Sequence, residues 1–185
     1  MERLTIEHLK GIEELNDFYC GVSKMDEFIH GGLDASLYND YCKAYTVKNE
    51  AGIVVAFFAL SFDSLQLDVD DIEDLRNGWA DTSTPQPTPE YFRTFWSKVH
   101  YPALEIAYLA VSKQYQKQHI GTQILEAIDE MARRQQFAGC QFLTVGAYVS
   151  NEYSAVEFYS RNYFAKLSPV PIHDTLRMYH NLLTN

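Results

Sequence analysis

The stretch richest in chemistry runs from Leu104 to Ile124. An apolar segment ends at Val111-Ser112, a polar loop covers Lys113 to His119, and a helical pattern opens at Ile120-Gly121. A strand–loop–helix passage leaves free backbone N–H groups at the start of the helix. Those amides, with the helix dipole behind them, form a site for phosphate. Gly121 lacks a Cβ, so a phosphate can come close to the backbone there. An ordinary crossover with a glycine near the helix start produces the same pattern, and geometry alone leaves the two readings even. Glu105 lies in the strand that leads to this loop. A carboxylate in a mainly apolar strand must be solvated or paired. It is either a general base or a strand-entry glutamate facing water.

Other chemistries leave no trace. The chain has no GxSxG, no P-loop lysine motif and no dinucleotide-type GxGxxG. Its histidines, His100, His119 and His173 among them, show no HxxxH or HExxH spacing, so no metal is expected. Cys20, Cys42 and Cys140 are odd in number and form no CxxC pair, which fits a reducing compartment without disulfides or zinc. A net charge of −10 argues against a protein whose main task is gripping nucleic acid, because phosphate binding needs a cationic surface. Arg133 and Arg134 with Lys113 and Lys117 give at best a small basic patch. The N-terminus has no apolar signal core, and the longest apolar run, Ile53 to Leu60, is too short to span a bilayer. A cytoplasmic protein without membrane contact is the expectation.

The elements that must position the loop follow from periodicity. Leu4 to Ile6 reads as a short strand, and Leu9, Ile12, Leu15 and Phe18 recur at helical spacing. Ser23 is placed to cap a second helix with Asp26 in its first turn, and Gly31-Gly32 mark a break. Lys43–Lys48 and Gly52–Phe62 read as a hairpin around the turn Asn49–Gly52. Residues 64–101 form an insertion: an acidic run from Asp68 to Asp74, a proline-rich loop up to Pro89, and an amphipathic helix over Glu90–Val99. The acidic run is a solvated loop face or an attraction for a cationic acceptor such as a lysine or polyamine. Then come a strand (102–112), a helix (120–135) with Ile120, Ile124, Ile128 and Met131 on one stripe, a strand (141–148), a helix (154–161) and a closing strand (176–182). This is an α/β chain, read as a single domain over 1–185.

The residues then resemble a family. Tyr108-Leu-Ala-Val111-Ser112 through Gln116 to Gly121 looks like the acetyl-CoA signature of the GNAT superfamily, a Leu-Ala-Val strand end followed by Gln/Arg-x-x-Gly-x-Gly/Ala and an apolar helix. His119 stands where the middle glycine is usual. Downstream, Ala155, Tyr159 and Phe164 match the superfamily's Ala-x-x-x-Tyr-x-x-x-Gly-Phe element, with Tyr163 in the glycine's place. Phe18-Tyr-Cys-Gly21, Met25-Asp26-x-Phe28-Ile29 and Val54 to Ser61 are loosely similar to acetyltransferases related to toxins of toxin–antitoxin pairs.

The resemblance implies a central mixed, mostly antiparallel sheet of six to seven strands flanked by about four helices. It implies an N-acetyltransferase that moves acetyl from acetyl-CoA to a primary amine of a small molecule, peptide or protein, in a ternary complex and without a metal. The acetyl-CoA set it implies is Leu109, Val111, Gln116, Lys117, Gln118, His119, Ile120, Gly121, Thr122 and Asn151. Tyr159 becomes the acid that protonates the CoA sulfur, against its reading as one core tyrosine among 13. Glu105-Ile106, Ala110-Val111 and Gln116 reproduce the spacing of histone-type members that use a glutamate base, although toxin-like relatives usually carry an apolar residue there. Two alternatives stay open: toxin-like acetylation of aminoacyl-tRNA, and a non-catalytic acyl-CoA-binding or interaction module. A homodimer and an antitoxin partner are compatible with the toxin-type branch.

Overall fold

The computed structural model describes residues 3–68, 73, 98–167 and 170–182. The helix expected over 90–99 and the proline-rich loop lie almost wholly outside the described residues. In chain order the elements are β1 (Thr5–His8), α1 (Ser23–Gly31), α2 (Leu33–Tyr38), β2 (Lys43–Lys48), β3 (Val54–Gln66), β4 (His100–Val111), α3 (Ile120–Arg134), β5 (Phe142–Tyr148), α4 (Val156–Arg161), β6 (Ala165–Lys166) and β7 (Thr175–Asn181). The strands form one seven-stranded mixed sheet in the order β1-β2-β3-β4-β5-β7-β6. Two compact units share the chain: Met1–Ser61 with Ile106–Ala127, and Phe62–Glu105 with Ile128–Asn185.

In the first unit, β1, β2 and β3 form an antiparallel meander. Its hairpin turn works through Asn49, whose Oδ1 accepts from the N–H groups of Ala51 (3.2 Å) and Ile53 (2.9 Å). Gly52 follows at φ +77°, a conformation that glycine adopts without cost. From Val55 to Leu60 every side chain of β3 is buried, which is why that segment reads as an unbroken apolar run. Leu15, Phe18, Ile29, Leu33, Phe57 and Ala110 pack together as this unit's core.

Two local expectations need correction. The apolar repeat from Leu9 to Phe18 forms only a 3-10 turn, Ile12–Leu15. Four residues give too few i→i+4 bonds to offset helix nucleation, and tertiary burial of Leu15 takes over. Ser23 does not cap α1; it is the helix's first residue, and no side chain caps the preceding Val22. Asp26 takes over instead. Its carboxylate reaches back to the N–H groups of Cys20 (2.8 Å) and Gly21 (3.0 Å), fixing the turn where Gly21 sits at φ +83°.

In the second unit, β5 pairs antiparallel with β7 along its whole length, from Phe142↔Asn181 to Tyr148↔Thr175. The two-residue strand β6, absent from the sequence reading, pairs with β7 at Ala165↔Tyr179. Leu65, Leu67, Tyr101, Ala103, Phe142 and Tyr179 form its core. Residues 64–66 and 100–101, read from sequence as part of an insertion, belong to β3 and β4. On α3 the buried stripe is Ile120, Ile124, Ile128 and Ala132, with Met131 only half-buried beside it.

Candidate functional site

The loop that follows β4 lies in the first unit. β4 ends at Val111, and a 3-10 turn over Lys113–Tyr115 follows, closed by the Tyr115 N–H on the Ser112 carbonyl at 2.8 Å. The loop is braced on both sides. The Ser112 N–H donates to Val55 O of β3 and the Lys113 N–H to Tyr19 O, each at 2.9 Å. The Gln116 side-chain amide donates from Nε2 to Cys20 O (2.8 Å) and to Val111 O (3.0 Å). Its NH2 group is therefore committed to holding the loop against the strand end and the N-terminal segment.

Beyond Gln116 the backbone turns twice through the left-handed region, at Lys117 (φ +61°) and His119 (φ +61°). The chain thus keeps, at His119, a conformation that suits glycine. A side chain does not forbid this; it costs about 1–2 kcal/mol. The first helical bond of α3 runs from the Gln123 N–H to His119 O at 3.1 Å, so the N–H groups of Ile120, Gly121 and Thr122 precede any intrahelical acceptor. The side chains of Lys117, Gln118 and His119 are exposed, and residues 106–125 contain two lysines and a histidine but no carboxylate. In a chain of net charge −10, this loop is a local cationic exception that suits an anion. Leu109 and Val111, half-buried, line the end of β4.

The remaining predicted residues lie in the second unit. Tyr159 is buried on α4, with its ring 5.1 Å from that of Phe158 and 5.3 Å from that of Phe164. Burial, with Tyr153 adding to it, pushes its phenol well above the usual tyrosine range, so it stays protonated at neutral pH. Asn151 is exposed, in a turn where the Ser150 N–H donates to Tyr153 O at 2.7 Å. Tyr163 explains itself once α4 is traced. The Phe164 N–H reaches Tyr159 O (3.0 Å) and the Tyr163 N–H reaches Ser160 O (3.2 Å), a Schellman closure with Tyr163 at φ +66° in the position that favours glycine. A nitrogen of His180 stands 3.1 Å from the Tyr163 carbonyl and holds the turn from β7.

Glu105 is paired. Arg177 of β7 donates from Nη1 to Glu105 Oε1 at 2.8 Å and from Nη2 to Asp63 Oδ2, and the Thr144 hydroxyl donates to the same Asp63 oxygen. Gly146 is Arg177's cross-strand partner, so no side chain stands opposite it on β5. The side chains of Asp63, Arg177 and Glu105 are 19%, 29% and 31% exposed, mostly shielded yet not sealed. Sequence reading missed Asp63, Thr144 and Arg177. The available signal was that Asp63 and Arg177, like Glu105, place charges within strands, where partners are needed.

Burial disfavours the thiolate at all three cysteines. Burial pushes Cys20 up to about 12 and also raises Cys42 and Cys140, whereas attack requires the thiolate. Among the described residues no group of His, Cys, Asp and Glu is arranged to hold a metal ion.

The family model described as "Acetyltransferase (GNAT) domain" matches residues 90–166. No curated protein matches the chain by sequence. Solved structures with the same fold include a tyrosine-to-phenylalanine mutant of KacT, with TM-score 0.68 and 16% identity over 97% of this chain and 95% of that one. A corresponding type of mutant of the AtaT toxin, bound to the C-terminus of the antitoxin AtaR and acetyl-CoA, has TM-score 0.64 and 17% identity over 97% and 93%. AtaT complexed with acetyl-methionyl-tRNAfMet has TM-score 0.64 and 18% identity over 97% and 95%.

Proposed function

We propose that the chain, which carries a GNAT acetyltransferase domain on the fold shared with toxin-type acetyltransferases, transfers acetyl from acetyl-CoA to a primary amine by direct attack. The observation that carries this reading is the loop from Gln116 to Thr122. Its carboxylate-free sequence, two left-handed turns and leading helix amides make a cradle for a pyrophosphate. Gln116 serves it as a brace, while the backbone of Lys117, Gln118, His119, Ile120, Gly121 and Thr122 supplies donors. The strand end at Leu109 and Val111 aligns the thioester, with a backbone N–H at Val111 polarising its carbonyl. Asn151 is a further contact to the cofactor arm.

Two side chains then act in the roles that the resemblance gives them. Glu105 takes the ammonium proton of the acceptor, directly or through water. The neutral nitrogen attacks the acetyl carbonyl carbon, the C–S bond breaks, the leaving sulfur takes the Tyr159 proton, and the surplus proton on the new amide nitrogen returns to the tyrosinate, directly or through water. A tyrosine phenol carries its proton at neutral pH, as this step requires. Cys20 and Cys42 are buried and Cys140 is half-buried, and the upward shift of all three thiols agrees with transfer without a covalent enzyme intermediate.

Calorimetric titration with acetyl-CoA tests the reading, with ATP as the control. Saturable binding by the wild type, lost in Gly121→Glu, supports it; no binding to folded protein refutes it.

A second reading is favoured by the structural neighbours, one of which is held with an acetylated aminoacyl-tRNA and another with an antitoxin. In it the acceptor is the amino group of an aminoacyl-tRNA and an antitoxin is the partner. The net charge of −10 weighs against a large RNA footprint. Incubation with labelled acetyl-CoA and a pool of aminoacylated tRNA decides between them: label in the aminoacyl group establishes the second reading, and label only in free amines or peptides rejects it.

A further inference from the structure

We propose that Asp26 is a positioning residue for acetyl-CoA binding: it holds the turn Tyr19–Gly21, and that turn is the support on which the loop after β4 rests before the cofactor arrives. The inference rests on the reading of that loop as the acetyl-CoA site.

Phe18-Tyr-Cys-Gly21 and Asp26 take no part in the proposed transfer chemistry, and their bonds show what they do instead. The N–H groups of the turn are held by α1. The Asp26 carboxylate accepts from two successive amides, Cys20 at Oδ1 (2.8 Å) and Gly21 at Oδ2 (3.0 Å). An ionised acceptor makes both bonds stronger than neutral ones. One helical turn on, a ring nitrogen of His30 stands 3.0 Å from Phe18 O, and the His30 ring centre lies 4.6 Å from that of Tyr19. Residues 26 and 30 share a face of α1, so the helix grips the turn at two points. The carbonyls of the same turn receive the loop. Tyr19 O accepts the Lys113 N–H at 2.9 Å, and Cys20 O accepts the Gln116 side-chain amide at 2.8 Å. Gly21 lies against the Lys113 stem: a Cβ there would stand 3.2 Å from Lys113 Cδ, and φ +83° already disfavours one. With its donors tied to α1 and its acceptors tied to the loop, the turn couples Cys20 to Gln116 across 96 residues of chain. A loop ordered in this way before binding keeps the affinity that a loose one would lose to ordering.

The test uses the full-length protein, first without ligand and then with acetyl-CoA. Asp26→Asn keeps one acceptor and turns an NH2 toward the second N–H, so half of the grip becomes repulsive. By amide hydrogen exchange in the ligand-free protein, the Lys113 N–H should exchange about tenfold faster or more, relative to the amides of β3. By calorimetry, acetyl-CoA should bind about tenfold more weakly or worse. Val47→Ala, at a buried position of β2, controls for lost stability and should leave both readings within about twofold of wild type. Unchanged relative exchange at Lys113 in Asp26→Asn overturns the inference. So does unchanged acetyl-CoA affinity in that variant, or an equal loss of affinity in Val47→Ala. These results overturn this inference alone, whereas failure of the folded wild type to bind acetyl-CoA overturns the cofactor reading and this inference with it. If Asp26→Asn does not fold, Gly21→Ala decides, because its Cβ presses on the Lys113 stem from within the same turn. A severalfold weaker acetyl-CoA affinity in Gly21→Ala supports the inference, and an unchanged one overturns it.

Discussion

Replacing His119 with glycine should make the protein more stable, although it removes a side chain. His119 holds φ +61°. An L-residue there loses about 1–2 kcal/mol to contact between its Cβ and the following carbonyl. Histidine tolerates the region better than most residues, so about 1 kcal/mol is the fitting figure. Glycine removes that strain but widens the unfolded ensemble, at a cost of about 0.4–1 kcal/mol. The net gain over wild type is then about 0.5 kcal/mol or less. A cleaner comparison is with His119→Ala, which keeps the Cβ and its strain. Because alanine also retains the Cβ clash without histidine's tolerance, glycine should exceed alanine by about 1 kcal/mol, or about 2–4 °C in Tm for a chain of this size. The exposed imidazole offers little packing that could offset this. Urea denaturation and thermal melts of wild type, Gly and Ala variants give the order. Alanine as stable as glycine, or more so, would refute the claim that this position is a strained glycine site.

Tyr159→Phe removes the proposed proton donor from a buried ring and should lower turnover by about 100-fold or more while acetyl-CoA affinity by calorimetry stays near wild type. Thr46 is fully buried and its hydroxyl has no partner among the described residues, so Thr46→Val should raise stability by about 1 kcal/mol in a urea melt. Burial acts to raise Asp129, but the bonds it accepts from His180 and Arg133 outweigh it and hold its carboxyl below the usual range. A depressed acid contributes stability above its unfolded pKa and loses it as pH falls through the folded value. Asp129→Asn should therefore be less stable by about 1–2 kcal/mol at neutral pH, with the gap closing below about pH 4, as read by urea melts across that range. Phe57→Ala, in the fully buried run of β3, should cost about 3–5 kcal/mol by the same assay.

The sheet was legible where one physical signal dominated. The Asn49–Gly52 turn announced the β2–β3 hairpin because an Asx side chain and a glycine are what the backbone needs there. The stripe Ile120, Ile124, Ile128 announced α3 because burial on one face sets a period near 3.6. Where burial came from elsewhere in the chain, periodicity misled. Leu9, Ile12, Leu15 and Phe18 repeat like a helix, yet only one 3-10 turn forms, and Leu15 and Phe18 are buried by the first unit's core rather than by a helical face. Two-residue β6 had no sequence period to show.

The candidate site was legible in its backbone and illegible in its side-chain pairing, and the two have different physical origins. The loop from Lys113 to His119 depends on a local run of residues, so its sequence signals sit together. Even the two missing glycines left the backbone legible, because His119 and Tyr163 occupy positive-φ positions and keep the turns that glycine favours, through the α3 start and the Schellman closure of α4. Glu105 depends on partners 42 residues before and 72 residues after it, reached only through strand order. No local pattern encodes that proximity. What the sequence did carry was a demand: Asp63, Glu105 and Arg177 each place a charge within a strand, and a charge shielded from water is tolerated best with a counter-charge. Arg177 meets that demand for both acids, donating from Nη1 to Glu105 and from Nη2 to Asp63.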